Sequence, residues 1–298
     1  MPPVKIAVII PTYNRKKYLL LMLESLLKQE VNSTVKILII VVVDGSKDGT
    51  FEVLKENYPQ INLINGEGNL YYTRSINAGF IEARKFNPEY YLTLNDDIIL
   101  PQDYINKIYN DINLMGNNCL MGSIAFTLSK PHQILFSGVS LHNLTFGKYH
   151  RYHKFLERVE PDDLHGVYES SEVTGRGMLI PAVILNDLKS FDNKLLQYGS
   201  DTEFCIRARK NGYKVFISWN AKIFGNEKLT GEGSKFKDLK DVNPWNVLFN
   251  KYSANSIYTA AYLLKKHNPF FLWPVSFSVL FISKIKYILK IFYKKLYN

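Results

Sequence analysis

The chain of 298 residues is 46% apolar and 21% charged, an ordinary globular composition with length enough for one large domain or two small ones. Its two cysteines, Cys119 and Cys205, make neither a disulfide framework nor a CxxC metal pair, which fits a reducing compartment. The net charge of +10 is unevenly placed: from residue 242 onward there are eight lysines and no carboxylate, leaving 29 basic against 27 acidic residues for positions 1–241, so any nucleic-acid reading rests on the tail alone.

The opening MPPVKIAVIIPTYN has too short an apolar run for a secretion signal and is ended by Pro11, so positions 4–10 are expected to form a first strand. Three more short apolar runs follow at 35–43, 61–65 and 90–94. Helical patterns fill 15–29, 48–57 and 73–86. In the first, Tyr18, Leu19, Met22, Leu23, Leu26 and Leu27 recur at three- and four-residue spacing. Strands alternating with helices imply right-handed crossovers and a mainly parallel sheet. An unbroken run such as ILIIVVV fits a sheet covered on both faces. Beyond Pro101 the alternation loosens. Positions 119–181 read as mixed strands and loops, and 200–212 as one more helix. The body is therefore expected over 1–225, with a separate helical, basic region over 226–298.

Ligands of open α/β sheets bind outside the carboxyl ends of the strands. Three expected strands end there in polar groups: Pro11-Thr12-Tyr13-Asn14, Asp44-Gly45-Ser46 and Asn95-Asp96-Asp97. Two adjacent carboxylates closing a buried element are costly unless a turn exposes them or a ligand meets them. Several other chemistries are excluded. No G-x-G-x-x-G follows the first strand and no Walker A sequence exists. DGSKDGT at 44–50 imitates a calcium loop, but Lys55 stands where a bidentate Glu is needed. No H-E-x-x-H or G-x-S-x-G is present. Further on, Ser200-Asp201-Thr202-Glu203 has the pattern of a capping box, with Ser200 as N-cap, Glu203 reaching back and Asp201 at the first helical position.

In the tail, the 16 uncharged positions 268–283 fall short of the ~20 a membrane span needs and include Pro274. From Ile282 onward, Ile282, Ile285, Ile288, Leu289, Phe292 and Leu296 share a sector of roughly 120° at helical spacing, and Lys284, Lys286, Lys290, Lys294 and Lys295 fall outside it. Such a stripe either packs on the body or lies in the plane of an anionic membrane; only the second accounts for the missing acids.

Six stretches, VIIPTYNR (8–15), VVVDGSKDGT (41–50), GNLYYTRSINAGF (68–80), LTLNDDI (92–98), VTGRGMLI (173–180) and YGSDTEFCIRARKNGY (198–213), together resemble the family-two inverting nucleotide-sugar glycosyltransferases, in family order over roughly 4–225. The GN and NDD forms are most similar to the bacterial rhamnosyltransferase-like branch. The resemblance implies a GT-A fold, a Rossmann-type, mainly parallel sheet sandwiched by helices. It implies that Asp97 binds Mn²⁺ or Mg²⁺ and Asp96 the ribose. Thr12 and Asn14 would line the base, and Asp44 would accept from a pyrimidine imide, which suits a UDP- or dTDP-sugar donor. Asn77 matches a motif asparagine at the donor. Arg74 either meets phosphate or is an exposed helix arginine. Gly175 and Gly177 would let backbone approach donor sugar or acceptor. Asp201 takes the position of the catalytic base. Two departures stand out: Ser200 replaces a common Glu, and Gly225 stands near the place of a metal-binding His, with Asn226, Glu227 or water as substitutes. The implied partners are the donor, a glycan or lipid-linked acceptor and an anionic membrane surface, with no nucleic acid. The implied location is cytoplasmic, peripheral on the inner face of the cell membrane. A catalytically silent nucleotide-sugar binding protein is the alternative, against which the presence of Asp97 and Asp201 argues.

Overall fold

The computed structural model describes residues 2–141, 149–226, 229 and 243–297. In chain order the first half comprises β1 (Val4–Thr12), α1 (Lys16–Leu27), β2 (Val35–Asp44), α2 (Thr50–Asn57), β3 (Asn62–Gly66), α3 (Tyr71–Arg84), β4 (Tyr90–Thr93), β5 (Ile98–Ile99) and α4 (Tyr104–Met115). Then come β6 (Cys119–Thr127), β7 (Ile134–Phe136), β8 (Val139–Leu141), β9 (Tyr149–Arg151), β10 (Val167–Glu169), β11 (Met178–Pro181), α5 (Ala182–Leu188), α6 (Ser200–Lys210) and β12 (Lys214–Gly225). Three helices close the chain: α7 (Pro244–Phe249), α8 (Ile257–His267) and α9 (Trp273–Tyr297).

The main sheet runs β10-β12-β6-β11-β4-β1-β2-β3, with β5 added to β12 and β7 to β6. β1 is central to the first half. It pairs in parallel with β2 from Val4↔Val35 to Thr12↔Val43 and with β4 from Ile6↔Tyr90 to Ile9↔Thr93. Five successive β1 residues, Ile6 to Ile10, have no solvent exposure, because helices cover both faces of the sheet. Leu19, Met22, Leu23 and Leu26 of α1 are buried, as their spacing predicts. α3 approaches β1 so closely that a Cβ at Gly79 would stand 2.3 Å from the Ile9 side chain, so only glycine fits at that crossing. β11 enters antiparallel between β4 and β6, and β6 and β12 run parallel to each other. The fold is the α/β architecture expected, with the parallel strands ending on one rim.

Helix starts differ by a residue or two from the sequence expectation. α2 begins at Thr50 because Gly49, at φ +76°, turns the chain into it. The Asp48 carboxylate accepts from the amides of both Thr50 (3.2 Å) and Lys16 (2.9 Å), so one side chain serves the starts of α2 and α1. α4 and α5 lie where sequence alternation is weak, and each packs on the half of the sheet that holds β6, β11 and β12.

Candidate functional site

The end of β4 carries the acidic pair. Leu94 still bonds to Ile9 of β1 (3.0 Å), after which the chain leaves the sheet and turns into β5, which pairs with the end of β12. Asp96 and Asp97 are both buried. Asp96 Oδ2 accepts from Thr12 Oγ1 at 2.8 Å, and Asp96 Oδ1 from Arg15 Nη1 at 3.1 Å. The same Arg15 nitrogen reaches Asp97 Oδ2 at 3.4 Å. Burial, and next the charge of Asp97, push the Asp96 carboxyl up to about 6 even against the pull of Arg15. Arg15 in turn is held above its ordinary value, because the two carboxylates outweigh its own desolvation. Arg15 closes the quoted VIIPTYNR stretch, yet nothing in its spacing marked it as the countercharge of a pair so distant along the chain.

Asp97 Oδ1 is buried and makes no hydrogen bond. A bare buried carboxylate oxygen beside a second carboxylate fits a hard cation, which needs few protein ligands when substrate phosphates and water complete its shell. Among the described residues no three His, Cys, Asp or Glu side chains converge on one point. The segment expected to supply a further ligand does come to the pair, since the Asn226 amide donates to the Asp97 carbonyl at 3.0 Å. Glu227 lies outside the described residues.

The end of β2 is tied to the loop before α3. Asp44 Oδ1 accepts from the Gly68 amide (2.9 Å), and Oδ2 from the amides of Leu70 (2.9 Å) and Tyr71 (3.0 Å). A carboxylate has about four acceptor positions, so roughly one remains for a ligand donor. The two loops touch so tightly that a Cβ at Gly45, φ +67°, would meet Gly68 N at 2.6 Å. Asn14, at φ +52°, links the β1 and β2 loops: its Oδ1 accepts from Lys47 N (2.7 Å) and its amide donates to Ser46 Oγ (3.0 Å). Thr12, Asn14, Asp44 and Asp96 therefore lie on one rim, with Asn14 and Asp44 also serving as loop staples. Asn77 is elsewhere engaged. Its amide donates to Phe191 O and Asn193 Oδ1 (both 2.9 Å) and accepts from Phe191 N (3.0 Å), so it holds the 191–193 loop rather than presenting a free amide to the donor. Arg74 is exposed on α3.

Asp201 sits at the start of α6, but the capping expected there is not made. Gly199, φ +88°, is the N-cap and Ser200 is already helical. Ser200 Oγ accepts from Thr73 Oγ1 instead. Asp201 thus occupies the second helical position, where Oδ2 accepts from the Gly175 amide (3.0 Å) and Oδ1 from the Thr202 amide (2.9 Å). Burial pushes its carboxyl above the ordinary value, opposed by those amides and by the charge of Arg176. The Gly175 carbonyl accepts from Thr93 Oγ1 at 2.7 Å. Gly175 therefore couples Asp201 to the strand that ends, three positions after Thr93, in Asp96. Tyr72 closes this corner: its hydroxyl is buried without a hydrogen bond, and a Cβ at Gly175 would fall 1.7 Å from it. Neither Tyr72 nor Arg176 is marked by local pattern, although they stand within the 68–80 and 173–180 stretches.

Glu203, expected to reach back to the helix start, points to the C-terminal region. It is fully buried and pairs with Arg207 Nε (2.8 Å), Lys266 Nζ (2.9 Å) and His267 Nε2 (3.2 Å). Lys266 also meets Asp192 at 2.5 Å, and Tyr262 donates to the same Asp192 oxygen at 2.6 Å. These partners outweigh the desolvation of Asp192 and pull its carboxyl down to about 2. α8 is thereby ion-paired to the helix that carries Asp201.

Comparisons with known proteins bear on the family and the fold. The sequence profile of "Glycosyl transferase family 2" matches residues 7–181. A curated relative, "Glycosyltransferase GlyA" of Streptococcus pneumoniae serotype 4, is 32% identical over 113 residues, which are 36% of this chain but only 15% of that protein. Among solved structures, Staphylococcus aureus TarS 1-349 matches at 17% identity and TM-score 0.51, over 80% of this chain and 66% of its own. Its complex with UDP matches at 16% and 0.52, over 88% and 70%. GalNAc-T7 with UDP, GalNAc and Mn²⁺ matches at 13% and 0.59, over 92% and 53%. At these identities the structural likenesses speak for the fold.

Proposed function

Because the chain belongs to glycosyl transferase family 2, we propose that it is an inverting transferase moving a sugar from a UDP- or dTDP-sugar to a hydroxyl of a glycan or lipid-linked acceptor, in the synthesis of a bacterial surface polysaccharide. The observation that carries this reading is Gly175, whose amide holds Asp201 and whose carbonyl is held by Thr93 just before the acidic pair. A base and an acidic pair on one wall are what a displacement at an anomeric carbon requires. UDP in the TarS complex, and UDP with Mn²⁺ in GalNAc-T7, support a uridine donor and a divalent ion. By the same reading the protein works in the cytoplasm, peripheral on the inner face of the cell membrane.

Asp201 takes the proton of the acceptor hydroxyl while that oxygen forms its bond to the anomeric carbon. The bond from that carbon to the diphosphate oxygen breaks on the opposite side, and a single displacement inverts the centre. A carboxyl held above its ordinary value is the stronger base, and such proton removal is worth roughly 10²–10⁴-fold in rate. The amides of Gly175 and Thr202 fix the carboxylate's direction. Asp97, through its bare Oδ1, is the residue that would hold Mn²⁺ or Mg²⁺, and Asp96 would meet the ribose. When bound, that ion neutralises the departing diphosphate. The test is a panel of UDP- and dTDP-sugars with Mn²⁺ or with chelator, read by release of free nucleoside diphosphate. Release with Mn²⁺ and none with chelator is expected; equal release in both removes the metal role, and no release from any donor removes the reading.

A further inference from the structure

α9 is apolar on two sides, and only one of them meets the body. On its inner side Ile291 has no exposure, Ser276 accepts from Asn268 Nδ2 (2.8 Å), and Lys284 donates to the Asn255 carbonyl (2.8 Å). The stripe read from the sequence faces the other way. Ile282, Ile285, Leu289 and Phe292 are all exposed, Leu289 at 60%, and only Ile288 at the sector's edge is partly covered. Phe281, 66% exposed, and Val275 extend the same face, and Phe270, 78% exposed, and Phe271 stand at its beginning. The result is an uncovered apolar strip along a helix of 25 residues, about 37 Å long. Contiguous exposed apolar surface on this scale marks an interaction face.

Charge selects the occupant. Lys286 is exposed beside the strip, and Lys290, Lys294 and Lys295 follow it in the sequence with no carboxylate among them, whereas Lys266 and Lys284 of the same region are engaged inward. The side chains of Lys290, Lys294, Lys295 and Leu296 lie outside the described residues. A second copy docked strip to strip would bring two such lysine sets together with no acid to pair them, whereas an anionic lipid surface complements them. Among the described residues no helix is long and apolar enough to cross a membrane. We propose that the outer face of α9, with Phe270 and Phe271 at its start, lies in the plane of a bilayer rich in anionic headgroups. Its aromatic and aliphatic side chains enter the acyl boundary, and the lysines meet the phosphates.

This assignment deepens the location proposed above and does not depend on the transfer chemistry. The test is flotation of the full chain with vesicles of phosphatidylcholine alone or with added phosphatidylglycerol, at low and high salt. A Phe281→Glu/Leu289→Glu double variant is run beside it, with its melting curve as the control of folding. Flotation should require phosphatidylglycerol, weaken with salt, and fall about a hundredfold in partition in the variant. A Phe270→Ser/Phe271→Ser variant carries the same test should the first fail to fold. Undiminished flotation of a folded variant, or no flotation of the wild type, overturns the proposal. So does a concentration-dependent dimer that the variant abolishes, which would give the face to a second copy. Vesicle binding without release of nucleoside diphosphate leaves this face standing and refutes only the transfer.

Discussion

Replacing Gly175 by alanine tests the corner that joins the acidic pair to Asp201. The added methyl carbon would stand 1.7 Å from the Tyr72 hydroxyl oxygen and 2.8 Å from the ring carbon bearing it, where real Cβ contacts essentially never fall below 3.0 Å. Tyr72 is half-buried with its hydroxyl enclosed, so the added methyl must displace the ring or strain the Gly175 backbone. That backbone is held on one side by Thr93 and on the other holds Asp201. Overpacking of this kind costs about 1–3 kcal/mol. Tyr72→Phe alone removes a buried hydroxyl that has no partner, so it should be neutral or stabilise by up to about 1 kcal/mol. Combined with Gly175→Ala it should return part of the loss, but not all, because the ring carbon still stands too close. A double-mutant cycle by urea unfolding should therefore show coupling of about 1 kcal/mol or more. Transfer should fall in Gly175→Ala, as Asp201 loses its amide donor's position. Additive effects of the two substitutions, or Gly175→Ala at wild-type stability and activity, would refute the steric account.

Asp201→Asn should reduce transfer by about 10²-fold or more while a pyrimidine diphosphate still binds, as titration calorimetry and turnover together will show. Near-wild-type turnover would place the base elsewhere. The Asp192–Lys266 pair predicts an acid limb: with its carboxyl lowered to about 2, Asp192 stabilises the fold above its ordinary value, and this contribution is lost as pH falls through the folded value. Thermal melts from pH 5 downward should lose less in Lys266→Met than in the wild type, because that variant no longer has the pairing to lose. An unchanged acid limb would show that the pair does not contribute in solution.

The sequence was most legible where local pattern and tertiary setting agree. The unbroken apolar run of β2 fitted a strand covered on both faces, and polar residues closing three parallel strands had to share a rim. Asp96 and Asp97 stood out because carboxylates at the end of a buried strand need either a turn or a ligand, and the resemblance of the six stretches favoured the ligand. What stayed hidden depended on contacts between distant segments. Ser200 and Glu203 could satisfy a capping box locally, but Glu203 found Arg207, Lys266 and His267, and Ser200 found Thr73, so Gly199 took the cap. Asp44 was readable as a ligand acceptor, but not as the acceptor of three amides from the loop before α3. The stripe on α9 was visible by spacing. Its direction was not, since Ile291 and the inward Lys284 decide which side meets the body.

The charge cluster around Glu203 bears on how this protein could be recombined with its relatives. A graft that exchanged everything after residue 225 would bring in a new partner for Glu203 only by chance. If it did not, a fully buried carboxylate would keep Arg207 and lose both Lys266 and His267. Uncompensated buried charge costs several kcal/mol, and here the cost would fall on the helix whose first turn carries Asp201. The transferable unit is therefore not a contiguous tail. It is the tail together with positions 192, 203 and 207 on the recipient, and chimeras built on that footprint should be the ones that keep an ordered α6.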